Sequence, residues 1–174
     1  MALQKDRIRG TATINGTGIM RQTLHKFLHR YKKATLLHCD MWKWNGDYQT
    51  INCGVGEPNM VNVAAGMASQ GKQVVIYGVA GFVIYKAYEQ IKLNIKGWAE
   101  HHGSIVFVNA GHNGCYDVCG RGHLVYDDYK LMDALDIPLY DPMNRKTFVR
   151  DLKDGLKRPG VRFIRLGWDG ERWM

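Results

Sequence analysis

The sequence has little of several features that define whole classes of protein. Among its 174 residues there are only four prolines and four cysteines. Four cysteines are too few for a disulfide-dense scaffold. We therefore predict that Cys39, Cys53, Cys115 and Cys119 are free thiols in a reducing compartment. No apolar run approaches the roughly 20 residues of a membrane helix, and the first residues lack an apolar signal-peptide core. The expectation is a cytoplasmic chain without a membrane partner.

Several nucleotide and hydrolase motifs are also absent. The sequence has no Gly-x-Gly-x-x-Gly, no Gly-x4-Gly-Lys-Ser/Thr and no Gly-x-Ser-x-Gly. The dinucleotide, nucleoside triphosphate and serine-hydrolase interpretations therefore have no support. The net charge is +8, but the basic residues are scattered and form no nucleic-acid-binding motif, so no nucleic-acid partner is predicted.

What is present is the pattern of one globular α/β domain spanning residues 1–174. Hydrophobic residues make up 45% of the chain and charged residues 23%. Apolar strands alternate with amphipathic helices, which predicts a mainly parallel sheet. The predicted strands are 34–38, 48–53, 73–77, 104–109, 137–140 and 161–166. The predicted helices are 17–33, Glu57 to a stop at Gly71, 82–101, 126–135 and 146–157.

The loops that follow the strands are predicted to meet at one edge of the sheet. Ligands bind at the carboxyl ends of parallel strands. Asp40, the turn 54–57, the segment 78–82 and the loop 110–123 all lie there. We therefore predict the functional site at this edge.

Glu57 is the most informative residue of that edge. It lies between the glycine-rich turn Gly54-Val-Gly56 and a helix start, and Pro58 suits the first helical position. A first-turn Glu can simply complement the helix dipole. The small apolar residues after Glu57, however, leave room for another surface to approach. This favours a catalytic role for the Glu57 carboxylate over a purely structural one.

Two further patterns each allow two interpretations. Phe82, Tyr85 and Tyr88 recur at i, i+3 and i+6, which fits either a core stripe or a pocket for a flat ring. The following loop holds two His and two Cys, which fits either a structural zinc site or free thiols beside an active-site histidine. Its Cys-x3-Cys spacing is looser than usual for zinc and favours the thiols. The four residues are His112, Cys115, Cys119 and His123.

Taken in order, these motifs resemble the pyrimidine-binding domain of the transketolase family of thiamine-diphosphate enzymes. The resemblance rests on Gly-Val-Gly-Glu57-Pro-Asn-Met, Val-Ala-Ala-Gly-Met-Ala68, Phe82-x2-Tyr85-x2-Tyr88, the glycine-rich loop to His123, and Leu139-Tyr-Asp-Pro142. It covers nearly the whole chain. It implies the three-layer thiamine-diphosphate-binding fold, with helices on both faces of the sheet.

The resemblance also implies roles for individual residues. Glu57 is similar to the Glu that hydrogen-bonds N1′ of the aminopyrimidine, and His123 to the substrate-facing His. Phe82, Tyr85 and Tyr88 resemble the pocket around the pyrimidine ring. Asp40 occupies the place of the Asp in a Ser-Ala-Asp-Leu-like loop of the cofactor site. The implied substrate-binding residues are His112, Cys119, Arg121 and His123.

The chain departs from the family pattern at two places. Cys119-Gly-Arg-Gly-His123 replaces the usual Asp-Gly-x-Thr-His, and Asp141 precedes Pro142 where many members have Arg. The usual polyol and phosphate contacts are therefore altered, which favours a less phosphorylated or unusual acceptor. Arg121 offers a substitute anion contact.

The chain ends at Met174 without a pyrophosphate-binding domain or its Gly-Asp-Gly metal motif. The resemblance therefore implies half of a split, two-component transferase of ketol or acyl units. The partner subunit would hold most of the thiamine diphosphate and Mg²⁺, in an α2β2 heterotetramer joined around the Glu57 helix. Three alternatives stay open: a 2-oxoacid decarboxylase or dehydrogenase E1β-like component, a non-catalytic binding or regulatory module, and a zinc-stabilised, basic nucleic-acid-binding protein.

Overall fold

A computed structural model describes residues 12–41, 46–112 and 119–167 of the chain. The described strands form one six-stranded sheet in the order β2-β1-β3-β4-β6-β5, and every neighbouring pair is parallel. The strands are β1 Ala34–His38, β2 Thr50–Asn52, β3 Gln73–Val79, β4 Ser104–His112, β5 Leu139–Tyr140 and β6 Gly160–Gly167. This confirms the predicted parallel sheet.

Helices cover both faces of the sheet and confirm the three-layer α/β architecture. The α-helices are α1 Ala12–Arg30, α2 Glu57–Ser69, α3 Tyr88–Gln90, α4 Asp128–Ala134 and α5 Arg145–Lys157. Leu24 of α1 and Phe148 of α5 belong to the core on one face. Met60 of α2 and Met132 of α4 belong to the core on the other. In the part of the chain with described structure, no helix is long and apolar enough to cross a membrane.

The segment predicted as one helix over residues 82–101 is several consecutive helical pieces. Two π-helical stretches, Phe82–Lys86 and Ile91–Lys96, flank the short α3, and a 3₁₀ turn follows at Ala99–His101. The buried residues at this face recur every four positions: Val83, Ala87, Ile91, Ile95 and Ala99. A spacing of four drifts around a helix of 3.6 residues per turn. The wider π turns, bonded from i to i+5, keep these residues against the core.

Gly103 marks a point where the chain leaves no space for a side chain. A Cβ there would lie 2.5 Å from the carbonyl oxygens of both Ala68 and Lys72, which are backbone atoms. We expect Gly103→Ala to lower the free energy of unfolding by about 1–3 kcal/mol, as overpacked sites do. Urea denaturation measures this.

Gly18 supplies the matched control for that substitution. No atom lies within 4 Å of a Cβ built at this position of α1. Gly18→Ala should stabilise the chain by roughly 0.5–1 kcal/mol, because alanine loses less backbone entropy in a helix. Equal stability of the two variants would contradict the close packing at Gly103.

Candidate functional site

Glu57 lies where the turn after β2 enters α2. Gly54 adopts a left-handed φ of +63°, and the carbonyl of Gly56 accepts the first hydrogen bond of the helix from Met60 N at 2.9 Å. Pro58 occupies the start of the helix, as the sequence predicts. The Glu57 residue is only 5% exposed. An acidic side chain is therefore held, buried, at the carboxyl edge of the sheet.

Lys86 is the cation that meets this carboxylate. Its Nζ lies 3.4 Å from Glu57 Oε2 and 4.5 Å from the centroid of the Phe82 ring. The Lys86 side chain is half-exposed, so solvent reaches its ammonium. Sequence analysis missed Lys86 because the aromatic spacing directed attention to i+3. Lys86 is residue i+4 from Phe82, and side chains at i and i+4 lie on the same face of a helix.

His123 adds a titratable group beside the same ring. The rings of Phe82 and His123 meet edge to face, with centroids 4.7 Å apart and planes at 64°. A Cβ on Gly81 would lie 3.3 Å from the carbonyl oxygen of Gly122, so the two backbones approach closely here. A continuous set of contacts thus links Glu57, Lys86, Phe82 and His123, two of them residues that the sequence predicts as catalytic.

Tyr85 and Tyr88, the other two residues of the predicted aromatic pocket, have different contacts. The Tyr85 hydroxyl donates a hydrogen bond to Asp127, and burial together with this carboxylate raises the pKa of Tyr85 to about 12. Tyr88 is partly buried and packs against the core. The geometry of Tyr88 therefore fits the core-stripe interpretation of the spacing. Asp127, at the entrance to α4, is a contact that the sequence did not reveal.

Asp40 is fixed by a side chain from the neighbouring strand. It has a left-handed φ of +41°, which is uncommon for a residue other than glycine. Asn52 Nδ2 donates to Asp40 Oδ1 at 2.7 Å, and Asn52 Oδ1 accepts from the backbone N–H groups of Asp40 and Gly54 at 3.1 and 3.0 Å. Asn52 therefore joins the Asp40 loop to the turn before Glu57. The sequence around Asn52 gave no sign of these hydrogen bonds.

The described cysteines behave as the sequence predicts. Cys39, Cys53 and Cys119 are free thiols, whereas Cys115 lies outside the described residues. Burial raises the pKa of Cys39 to about 11, and the nearby carboxylate of Glu57 acts in the same direction. The Cys39 thiol stays protonated at neutral pH and packs on Met60, with the two sulfurs 3.6 Å apart.

The predicted substrate loop is described in part. Cys119 and Arg121 are exposed, and His123 ends the 3₁₀ turn Arg121–His123. His112 ends β4, but its side chain lies outside the described residues, as does Cys115. Within residues 12–41, 46–112 and 119–167 no cluster of three potential ligands suits a metal ion. The four-ligand zinc hypothesis falls partly outside this range and stays a hypothesis.

A buried ion pair joins β6 to α4. Arg165 Nε of β6 lies 2.7 Å from Asp128 Oδ2 of α4, and both side chains are almost wholly buried. Arg165 also lies 4.3 Å above the Tyr129 ring and 3.4 Å from Asp141 Oδ2. Asp141, one of the two departures from the family pattern, therefore has a structural partner. Because Asp127 precedes Asp128, this pair also positions the partner of Tyr85.

Comparisons with known proteins agree with this fold. No family model matches the chain. The chain is 32% identical over 84 residues to one of the subunits of the apulose-4-phosphate transketolase of Phocaeicola vulgatus, covering 48% of this chain and 26% of that protein. It is 32% identical over 116 residues to a protein of Methanocaldococcus jannaschii named as a transketolase C-terminal section. That alignment covers 56% of this chain and 36% of that protein.

A solved structure extends the likeness to nearly the whole chain. A split-gene transketolase in an inactive β4 tetramer matches 89% of this chain and 52% of that chain with a TM-score of 0.71. At 22% identity this match shows the fold. The chain thus spans about half of that protein, and its alignments span about a quarter to a third of the curated relatives.

The fold is a three-layer α/β domain with a six-stranded parallel sheet, and it matches that of a split-gene transketolase. The sequence relatives confirm the resemblance to the transketolase family. Within that family the similarity is to the C-terminal half of transketolase, as found in split-gene proteins.

Proposed function

We propose that this chain is the pyrimidine-binding subunit of a two-component, thiamine-diphosphate-dependent, transketolase-like transferase. A separate pyrophosphate-binding subunit would complete each active site. The observation that carries the proposal is the buried Glu57 at the start of α2, in contact with Lys86, whose ammonium lies over the Phe82 ring. The similarity to split transketolases supports the two-component assembly.

The residues at this edge fit the pyrimidine half of the cofactor. An aminopyrimidine needs an acidic group opposite a ring nitrogen and an apolar surface along the ring. Glu57 supplies the acid, and the partly buried Phe82 ring supplies an aromatic surface. We assign no residue of this chain to the diphosphate or to Mg²⁺, which the partner would hold. When bound, thiamine diphosphate supplies a carbon nucleophile and an electron sink for cleavage of a carbon–carbon bond.

Each residue of the contact chain then has a defined task. Glu57 would face N1′ of the bound pyrimidine and hold or release a proton at that atom. Lys86 places a positive charge beside Glu57, and its contact with the Phe82 ring orients that charge. His123 donates or accepts protons at substrate oxygens. Arg121, exposed two residues before His123, is available to an anionic group of the substrate.

Reconstitution tests the proposal directly. The chain should be assayed alone and after co-expression with the pyrophosphate-binding subunit of its own host, with ketose donors and with 2-oxoacids. We expect turnover of a ketose donor only in the mixture, because the solved relative is a β4 assembly described as inactive. Turnover of 2-oxoacids alone would instead favour the E1β-like alternative. A mixture inactive on both would contradict catalysis.

The exposed face of α2 is the predicted contact with the partner. Gly66 is exposed there, and a Cβ on it would meet no atom within 4 Å. We expect Gly66→Arg to leave the isolated chain folded but to lower its affinity for the partner at least tenfold, because the long side chain blocks close approach. Titration calorimetry measures the affinity. Gly18→Arg, at an equally open position of α1, is the control; equal affinities would remove α2 from the interface.

A further inference from the structure

His25 and His29 form a facing pair one turn apart on α1. Their Nε2 atoms lie 3.0 Å apart, and the rings are nearly perpendicular, at 84°, with centroids 4.4 Å apart. Both side chains are partly exposed, so a small solute can reach them. Histidines at i and i+4 on one helix face have the spacing with which helices bind transition metals.

The outer nitrogen of each ring is held by an oxygen from the segment before β2. His29 Nδ1 lies 2.6 Å from Asp47 Oδ1, and His25 Nδ1 lies 2.8 Å from the Tyr48 hydroxyl. A carboxylate only accepts, so His29 Nδ1 carries a proton, and in the neutral form of this ring the lone pair is on Nε2. A carboxylate on the far nitrogen is the arrangement found behind metal-binding histidines.

Asp47 also brings a negative charge to the pair. Its carboxylate lies against the outer nitrogen of His29 and contacts Lys32 as well. Both rings must be neutral to bind a metal, as histidine ligands are.

We propose that His25 and His29 bind one divalent transition-metal ion, with Zn²⁺ as the physiological class, through their two Nε2 atoms and with water as the remaining ligands. Zn–N bonds of about 2.0–2.1 Å in a tetrahedron place two nitrogens roughly 3.3 Å apart, so the pair must open by a few tenths of an ångström. On binding, His25 changes tautomer: the proton that its Nε2 shares with His29 is carried instead by Nδ1. That N–H then donates a hydrogen bond to the Tyr48 oxygen. No net proton is released.

Binding would clamp α1 to the residues that lead into β2. Asp47 and Tyr48 hold the outer nitrogens, and β2 carries the Asn52 contact to Asp40. The site differs in kind from a magnesium site, which uses oxygen ligands. It does not depend on the proposed transferase activity.

Metal titration of the full chain tests the inference. After chelator treatment and dialysis, Zn²⁺ is titrated against a chromophoric chelator, and Co²⁺ spectra report the ligand type. We expect one saturable site per chain, nitrogen and oxygen ligation, and a higher Tm with Zn²⁺. Asp47→Asn should weaken binding about 10–100-fold, as loss of an outer carboxylate does.

Variants decide whether this pair is the site. His25→Asn with His29→Asn should abolish binding, whereas His101→Asn with His102→Asn, an exposed adjacent pair, should leave it unchanged. Thermal melts without metal verify that each variant is folded. Undiminished binding in the first double variant, or cobalt spectra with thiolate charge transfer, would overturn the proposal, as would the absence of saturable binding to the unaltered chain.

Discussion

Glu57→Gln in the reconstituted complex is expected to lower kcat about 10²–10⁴-fold, the range for loss of a positioned acid–base group. Glutamine keeps the shape and a hydrogen-bonding group but cannot exchange a proton with the pyrimidine ring. KM for the ketose donor should change far less, because Glu57 is buried and would face the cofactor rather than the substrate. Steady-state kinetics at saturating thiamine diphosphate separates the two parameters.

Glu89→Gln is the matched control for this experiment. Glu89 lies in the neighbouring α3 and is exposed, so the same change of charge occurs away from the proposed machinery. Its kcat should stay within about twofold of the unaltered complex, since surface changes of this kind cost little free energy. A Glu57→Gln complex as active as Glu89→Gln would end the catalytic assignment of Glu57.

Asp128→Asn is expected to lower the free energy of unfolding by about 3–5 kcal/mol, because it leaves the buried Arg165 without its main counter-charge. The 2.7 Å contact between Arg165 Nε and Asp128 Oδ2 is inside the protein, where solvent cannot replace the carboxylate. Asp141, 3.4 Å away and more exposed, compensates only in part. Urea denaturation of the isolated chain measures the loss.

A double variant separates the cost of leaving Arg165 buried without a counter-charge from the cost of losing the contact itself. Asp128→Asn combined with Arg165→Met removes both charges and should be more stable than Asp128→Asn alone, because an apolar replacement of a buried pair is often well tolerated. Asp133→Asn, at an exposed position of the same helix, should change stability by less than about 0.5 kcal/mol. Equal losses at Asp128 and Asp133 would mean that the ion pair contributes little.

Local signals in the sequence were enough to predict the strands and the position of Glu57. The run from Val74 to Tyr77 is apolar throughout and predicts a buried parallel strand, which the structure extends to Val79. Gly56 and Pro58 mark the start of α2 because each has a backbone preference that suits that place. Such signals act within a few residues of the chain, so one sequence reveals them.

The partners of the site residues depend on the fold, and local patterns do not contain them. Lys86 reaches Glu57 across 29 residues, and Asp127 reaches Tyr85 across 42. The π turns were missed for a related reason, since the standard helical period was assumed for a segment whose buried residues recur every four. Only the packed core decides which period the backbone adopts.

The close approach of Gly81 to Gly122 has an evolutionary consequence. The main chain just before His123 passes close to Gly81, which precedes Phe82, and the rings of Phe82 and His123 are in contact. This approach leaves little room for a side chain at position 81, whereas the side chains at positions 119 and 121 are exposed. Relatives would therefore be expected to vary at positions 119 and 121 more readily than at position 81.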